Sequence, residues 1–261
     1  MRSLRALDLA VVLTLLVSVG TLYAEETKVT GSASVGVFNQ YIFRGYELST
    51  GSVIIQPSVN VSYKGFSVGF WGNIDTDENS TQSFAPDRPG QKSFNETDLT
   101  LSYTYSIGKV GLTGGYTYYS TKYAPETEEL FLSATYDVIT KPTLAIYRDI
   151  TSFRGTYINL SLSHSEPVYK DISLDLGASA GYFNGSDDAF RTNSGTGKKY
   201  SALHDGMLKA GFTIPVVKNM LVQPVAQYWF PLSGKAKKHG HNPNGHLDDI
   251  FVYGINMTYN F

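Results

Sequence analysis

Five charged residues are the strongest candidates for electrostatic work in this sequence: Arg44, Asp75, Glu96, Asp98 and Glu129. A guanidinium is planar and always charged, and its fork can bind two carboxylate oxygens at once. If the fold brings these groups together, two roles are open. Around a wet passage, opposed charges would select solutes by charge and size. In a filled interior, the same groups would satisfy one another and brace the structure.

A histidine-bearing segment is the second candidate. Residues 235–249 hold three of the five His, and the possible ligands of a divalent metal are His239, His241, His246 and Asp248. The alternative is a solvated surface loop whose basic run, Lys235–Lys238, contacts anionic phosphate groups. We predict no metal site, because a His-x-His pair on a flexible loop is a weak signal. We predict no cofactor either.

The elements that position these residues are strands. Residues 250–261 alternate strictly, with small or polar residues on one face. The apolar face consists of Phe251, Tyr253, Ile255, Met257, Tyr259 and Phe261. A strand of this kind suits a wall between lipid and a wet interior. The final Phe261 resembles the C-terminal signal of bacterial outer-membrane barrels, which implies barrel-assembly machinery as a partner.

The same period of two continues from residue 32 onward and predicts about 12 strands of roughly 9–12 residues, the length that crosses a bilayer. Connections after even-numbered strands are short, as at Lys64-Gly65. Long polar connections at 76–95, 183–200 and 231–247 follow odd-numbered strands. We therefore predict an all-β fold, a transmembrane antiparallel up-and-down barrel with its long loops outside.

The N-terminus and the composition agree with export to that membrane. Arg2 and Arg5 precede an apolar run from Leu9 to Val19, and Ala24 ends the segment. This pattern predicts a cleaved signal peptide at 1–24 and a barrel at 25–261 in the bacterial outer membrane. The chain has no cysteine, which excludes disulfides and thiol chemistry. Its formal net charge of −2 is too mild to indicate nucleic-acid binding.

Residues opposite the apolar face are predicted to line the interior. The sequence places Arg44 near the outer end of the first strand, facing an acidic arc, with Tyr41 and Phe43 towards lipid. The predicted lining and selectivity residues are Arg44, Asp75, Glu96, Asp98, Glu129, Lys209, Gln40 and Trp71.

An N-terminal motif adds a family resemblance. Tyr41-x-Phe43-Arg44-Gly45 is followed by Gly69-x-Trp71-Gly72-Asn73. Together with Phe261, this block resembles the TorF-type porins of Gram-negative bacteria over about three strands. The resemblance implies an outer-membrane barrel with a transport function, and it assigns no substrate.

The sequence thus predicts a narrow porin-like channel for small polar solutes or ions, embedded in lipid and lipopolysaccharide. A structural or adhesive barrel with a filled lumen is the alternative. A lipid hydrolase is less favoured, because the one close Ser–His pair, His164-Ser165, lies beside a predicted periplasmic turn at Glu166-Pro167. We predict no enzymatic activity.

Overall fold

The computed structural model of the chain describes residues 28–79, 90–190, 197–240 and 247–261. The predicted signal peptide and parts of the three long loops lie outside these ranges. Strands dominate the described residues: β1 Thr30–Phe38, β2 Ile42–Phe43, β3 Tyr46–Glu47, β4 Ile54–Tyr63, β5 Phe66–Asp75, β6 Ser93–Ile107, β7 Val110–Thr121, β8 Thr127–Tyr136, β9 Thr143–Asp149, β10 Gly155–Tyr169, β11 Ile172–Gly185, β12 Ser201–Val217, β13 Met220–Pro231 and β14 Ile250–Asn260. The helical elements are a 3₁₀ turn, Asp188–Phe190, and α1, Gly234–His239.

Twelve of these strands form one closed barrel in the part of the chain that the structure describes. Each strand pairs antiparallel with its neighbours in sequence, and β1 closes the barrel against β14. β2 and β3 stand apart as a two-stranded hairpin between β1 and β4. The predicted fold is confirmed. Closure leaves no free strand edge, which is the condition for a sheet to stand in lipid.

Side chains alternate around this wall as the period predicts. Leu101, Leu176 and Ile255 are on the outside and exposed. Their neighbours Ser102, Gly177 and Asn256 have the opposite parity and face the interior. The outer surface is therefore a belt of large apolar residues, which suits a hydrocarbon environment. No helix of the described residues is long and apolar enough to span a membrane.

The long connections lie at one end of the barrel. The start of β1, the end of β14 and the turns 64–65, 108–109, 137–142, 170–171 and 218–219 are at one end. The other end carries the loops 39–53, 76–92, 122–126, 150–154, 186–200 and 232–249, four of which are longer than any connection at the first end. One predicted turn was wrong. Glu166 and Pro167 belong to β10, and the chain reverses at 170–171 instead. We call the long-loop end the mouth and the short-turn end the base.

Candidate functional site

The hairpin formed by β2 and β3 is the centre of the candidate site. Its two-residue turn is Arg44-Gly45, with φ of 51° and 77°. Positive φ at both central residues is what the tightest hairpin turns require, and glycine adopts it without strain. Below the turn, Phe43 pairs with Tyr46. Where the two chain segments enter and leave the hairpin, the Tyr41 amide donates to the Ser49 hydroxyl at 2.8 Å.

The hairpin lies inside the lumen at the mouth. The Tyr41 ring is 5.2 Å from that of Trp71 on β5, and Phe43 is 6.0 Å from Tyr119 on β7. The prediction that Tyr41 and Phe43 face lipid was therefore wrong, as was the placement of Arg44 on the first strand. β1 ends at Phe38, and the chain then turns into the lumen. Beyond that residue, odd and even positions therefore no longer correspond to the lipid and lumen faces of the wall.

Arg44, at the hairpin tip, contacts a carboxylate and three aromatic rings through its guanidinium. Its two terminal nitrogens donate to the two oxygens of Glu129, at 2.7 and 2.8 Å. Its Cζ lies 4.6–4.7 Å from the ring centres of Phe43, Tyr147 and Tyr157. Tyr119 donates its hydroxyl to the same carboxylate at 2.9 Å. The hairpin is thereby tied to four wall strands, β7, β8, β9 and β10.

This pairing is buried and keeps the arginine charged. The side chains of Arg44 and Glu129 are only 13% and 7% exposed. Arg44 lies in the turn between β2 and β3, outside the twelve strands that form the barrel wall. Burial alone would lower the pKa of Arg44, but the charge and hydrogen bonds of Glu129 raise it above its ordinary value. A desolvated pair with forked geometry is a strong, directional contact.

The other predicted carboxylates do not bind Arg44, which within the described residues forms an ion pair with Glu129 alone. Asp75 is fully buried at the end of β5 and accepts the Asp77 amide at 3.0 Å. Glu96 is also buried. Asp98 is paired in the ladder between Trp71 and Tyr119, on the hairpin side of the lumen. The predicted carboxylates lie around the mouth, but among them only Glu129 pairs with Arg44 in the described residues.

The remaining predicted lining residues are divided between the two halves. Trp71 faces the lumen at the mouth, against Tyr41. Gln40 is in the loop after β1, and its side-chain amide donates to the Phe251 carbonyl at 3.4 Å, so its placement on a lining strand was wrong. Lys209 faces inward in the middle of β12 and is exposed, which requires open space in the lumen there.

Sequence reasoning missed a second polar cluster beside the hairpin. Tyr157 donates to Asp205, with 3.0 Å to each carboxylate oxygen, and both residues are buried. Asn159 donates to the Tyr157 hydroxyl at 3.2 Å. Inward parity was a signal for Tyr157. Asp205 was hidden by an irregularity of register between β11 and β12 near this point, which breaks the alternation.

A cavity of about 210 Å³ lies between the hairpin and the mouth loops. Its charged lining groups are Arg44, Glu96, Glu129 and Asp149, and its aromatic walls include Phe43, Tyr119, Phe153, Phe183 and Phe190. Asp149 shapes one side by accepting the Thr127 hydroxyl at 2.5 Å and the amides of Thr151 and Phe153. Convergent polar groups in a mostly apolar concavity are typical of small-molecule sites.

The base half of the lumen has a different lining, made of short hydroxyl and amide side chains. Neighbouring strands contribute paired groups, such as Ser34 with Ser58 at 2.6 Å and Thr104 with Thr113 at 2.9 Å. Asn256 donates to Gln223 at 3.1 Å. Thr104 and Ser163 face inward and are exposed. Exposed inward hydroxyls indicate a lumen that is wet in this half.

The histidines do not assemble a metal centre in the described residues. His164 and Ser165 are on opposite faces of β10, and His164 pairs with Glu166 at 3.3 Å. His241 and His246 lie outside the described residues. Within the part of the chain that the structure covers, no group of three His, Asp or Glu side chains is placed to hold a metal ion.

The fold and the lumen define a closed antiparallel barrel of the outer-membrane type. Residues 24–187 match the model of the family described as "Bacterial protein of unknown function (Gcw_chp)", and the chain belongs to that family. The narrower TorF-type assignment stays a prediction. No curated protein is similar to the chain in sequence.

Two solved structures share the fold at low identity. The NanC porin is 8% identical with a TM-score of 0.54, and the match covers 88% of this chain and 98% of that one. An outer membrane channel from Pseudomonas putida F1 is 10% identical with a TM-score of 0.53, covering 93% and 98%. At this identity, the likeness concerns the fold alone.

Proposed function

We propose that the protein is an outer-membrane channel for small polar solutes or ions, with a wet chamber at the base and a constriction at the mouth formed by the hairpin. The observation that supports this best is the lining of the base half. Thr104 and Ser163 face inward in this half and are exposed, as is Lys209 in the middle of β12, so the wall there is not packed against other side chains. A barrel with a purely structural role would fill this space at the usual density of protein interiors.

The hairpin sets the selectivity of the proposed channel. It supplies one cation, Arg44, to a mouth lined by Glu96, Glu129 and Asp149. Carboxylates therefore outnumber the guanidinium, and the field of the mouth favours cationic and neutral solutes over anions. The apolar outer belt and the long loops at one end support placement in the outer membrane with the mouth outside, in contact with lipid and lipopolysaccharide. Phe261 would be read by the barrel-assembly machinery.

The conductance of the refolded mature chain in a planar bilayer tests this proposal. Discrete current steps with cation preference are expected. A silent bilayer would instead favour a structural or adhesive barrel, for which the buried Arg44–Glu129 pair is the supporting observation. We also propose that the chain is not an enzyme, and release of fatty acid from phospholipid in detergent would contradict that.

Orientation has its own test, because the chain offers a clean cysteine-free background. A cysteine replacing Asn79, in a mouth loop, should react with an impermeant thiol reagent on intact cells. The matched control is a cysteine replacing Ile107 at the base, which should react only after the outer membrane is opened. The reverse pattern would invert the proposed topology.

A further inference from the structure

We propose that the wall groups around Arg44 form a recognition site for small guanidinium-bearing cations, and that Arg44 occupies this site as a tethered internal ligand. The idea that such cations are solutes of the channel rests on the proposed function. The idea that they bind at this site rests only on the geometry of the wall.

The groups that hold the guanidinium belong to four strands of the barrel and not to the hairpin alone. Glu129 presents both oxygens to the two terminal nitrogens, and Tyr119 fixes the carboxylate from the side at 2.9 Å. The Tyr147 and Tyr157 rings approach the Cζ at 4.7 and 4.6 Å. A forked carboxylate with aromatic faces is the chemistry that selects a planar guanidinium over a spherical ion. Because these groups belong to the wall strands, substitution of Arg44 does not remove them from the chain.

A second cation has a route to this site. The 210 Å³ cavity on the mouth side is lined by Glu129 itself, together with Arg44, Glu96 and Asp149. A small cation that enters the cavity therefore meets the carboxylate that Arg44 binds. The volume is below the range of about 300–1,000 Å³ for drug-sized ligands, so it suits a compact ion such as methylguanidinium.

The strength of the competition follows from the tether. The described part of the hairpin stem has two residue pairs, Ile42 with Glu47 and Phe43 with Tyr46. A ligand on a short tether has an effective concentration on the order of millimolar or higher. A free guanidinium must exceed this concentration to displace Arg44. Once the arginine side chain is removed, the same ion should bind at a much lower concentration.

Saturation-transfer NMR of the methylguanidinium methyl signal tests the site on the refolded mature chain in detergent. The variant Arg44→Ala should bind with a half-saturating concentration at least tenfold lower than wild type. The double variant Arg44→Ala with Glu129→Gln should lose saturable binding. Sodium chloride at equal ionic strength controls for screening, and tetramethylammonium should bind more weakly because it cannot donate to the carboxylate.

A second variant guards against misfolding. Arg44→Gln retains much of the side-chain volume without its charge, and a heat-modifiability gel reports whether each barrel is folded. Binding to Arg44→Ala or Arg44→Gln no tighter than to wild type, or undiminished by Glu129→Gln, would overturn the site. A conducting barrel without binding would reject this inference alone. Binding to a barrel that is silent in bilayers would reject the channel and retain the site.

Discussion

The mouth and base halves of this lumen are built on the same twelve strands, yet they differ in what fills them. At the mouth, a hairpin, aromatic rings and a buried ion pair occupy the cross-section. At the base, short hydroxyl and amide side chains leave the interior open, and the inward Lys209, in the middle of β12, is exposed. The same barrel wall thus encloses both halves, and a small number of side chains decides whether each half is filled or open.

The mouth and the base also differ in how strongly their structure depends on individual residues. Each contact at the mouth needs one particular residue, because a fork, a positive φ or a ring face has no near substitute. The base relies on many similar hydroxyl pairs, each of which contributes little and can bond to water if it loses its partner. Substitutions at the mouth should therefore be costly and specific, and those at the base mild and interchangeable.

The largest effect is expected for Arg44→Ala. Removal of one partner from a buried pair leaves Glu129 desolvated without a counter-charge, and breaking such pairs costs about 3–5 kcal/mol. Urea unfolding of the refolded barrel measures the loss, and the bilayer conductance should rise as the mouth widens. Thr104→Ala is the matched change at the base and should leave both properties nearly unaltered. Equal losses for the two variants would remove the contrast between the halves.

A slightly smaller loss of stability is expected when arginine replaces a lipid-facing residue of the barrel wall. Leu101 faces outward in the middle of β6 and is 54% exposed. Leu101→Arg should cost about 2–4 kcal/mol, the penalty for arginine at the bilayer midplane. Ser102→Arg, one residue on, would point into the wet base half and should cost much less. Unfolding in lipid vesicles compares the two, and similar costs would mean that the lumen is dry.

The hairpin turn should show an intermediate effect. Gly45 has φ of 77°, and a Cβ there would lie 2.9 Å from the Cβ of Asp205. Gly45→Ala should lose about 1–2 kcal/mol to left-handed strain and a further amount to this contact. Gly108 in a base turn has φ of 57° with no atom within 4 Å of a built Cβ, so Gly108→Ala isolates the strain. Unfolding titrations should rank Gly45→Ala as the more harmful change.

The smallest effect on stability is expected at Lys209. Because this side chain is exposed, Lys209→Gln should change the unfolding free energy by less than about 0.5 kcal/mol. The reversal potential under a salt gradient should shift towards cation preference, since the base loses a positive charge. An unchanged potential in a conducting barrel would mean that ions do not pass near β12.

The sequence predicted the wall well because its period of two records directly which side of each strand meets lipid. The number of strands follows from that period, and the end of the barrel that carries the long loops follows from the connection lengths. The hairpin was missed for the same reason: Tyr41, Phe43 and their neighbours alternate like a continuation of β1, and strands of two residues carry no period of their own.

The site was predicted only in part, because its geometry depends on which distant strands face each other. Arg44 and Glu129 could be chosen by charge, but their pairing across the lumen requires the hairpin to turn inward. The rings of Tyr147 and Tyr157 were unremarkable members of a tyrosine-rich chain until the strand order placed them beside Arg44. Such convergence of residues from separate strands has no local signal.

The seam between β1 and β14 imposes an order on assembly. The amide of Phe261 donates to Gly31 at 2.8 Å, and the seam continues past the end of β1, where Asn39 exchanges hydrogen bonds with Tyr253. Asn39 and Tyr253 are 214 residues apart in sequence, so their contacts cannot form until β14 is available, and contacts of such long sequence separation are slow to form. Asn39 lies in the short segment between β1 and the hairpin strand β2. We therefore expect the capture of Arg44 to be among the last events of folding, after the nascent sheet has closed.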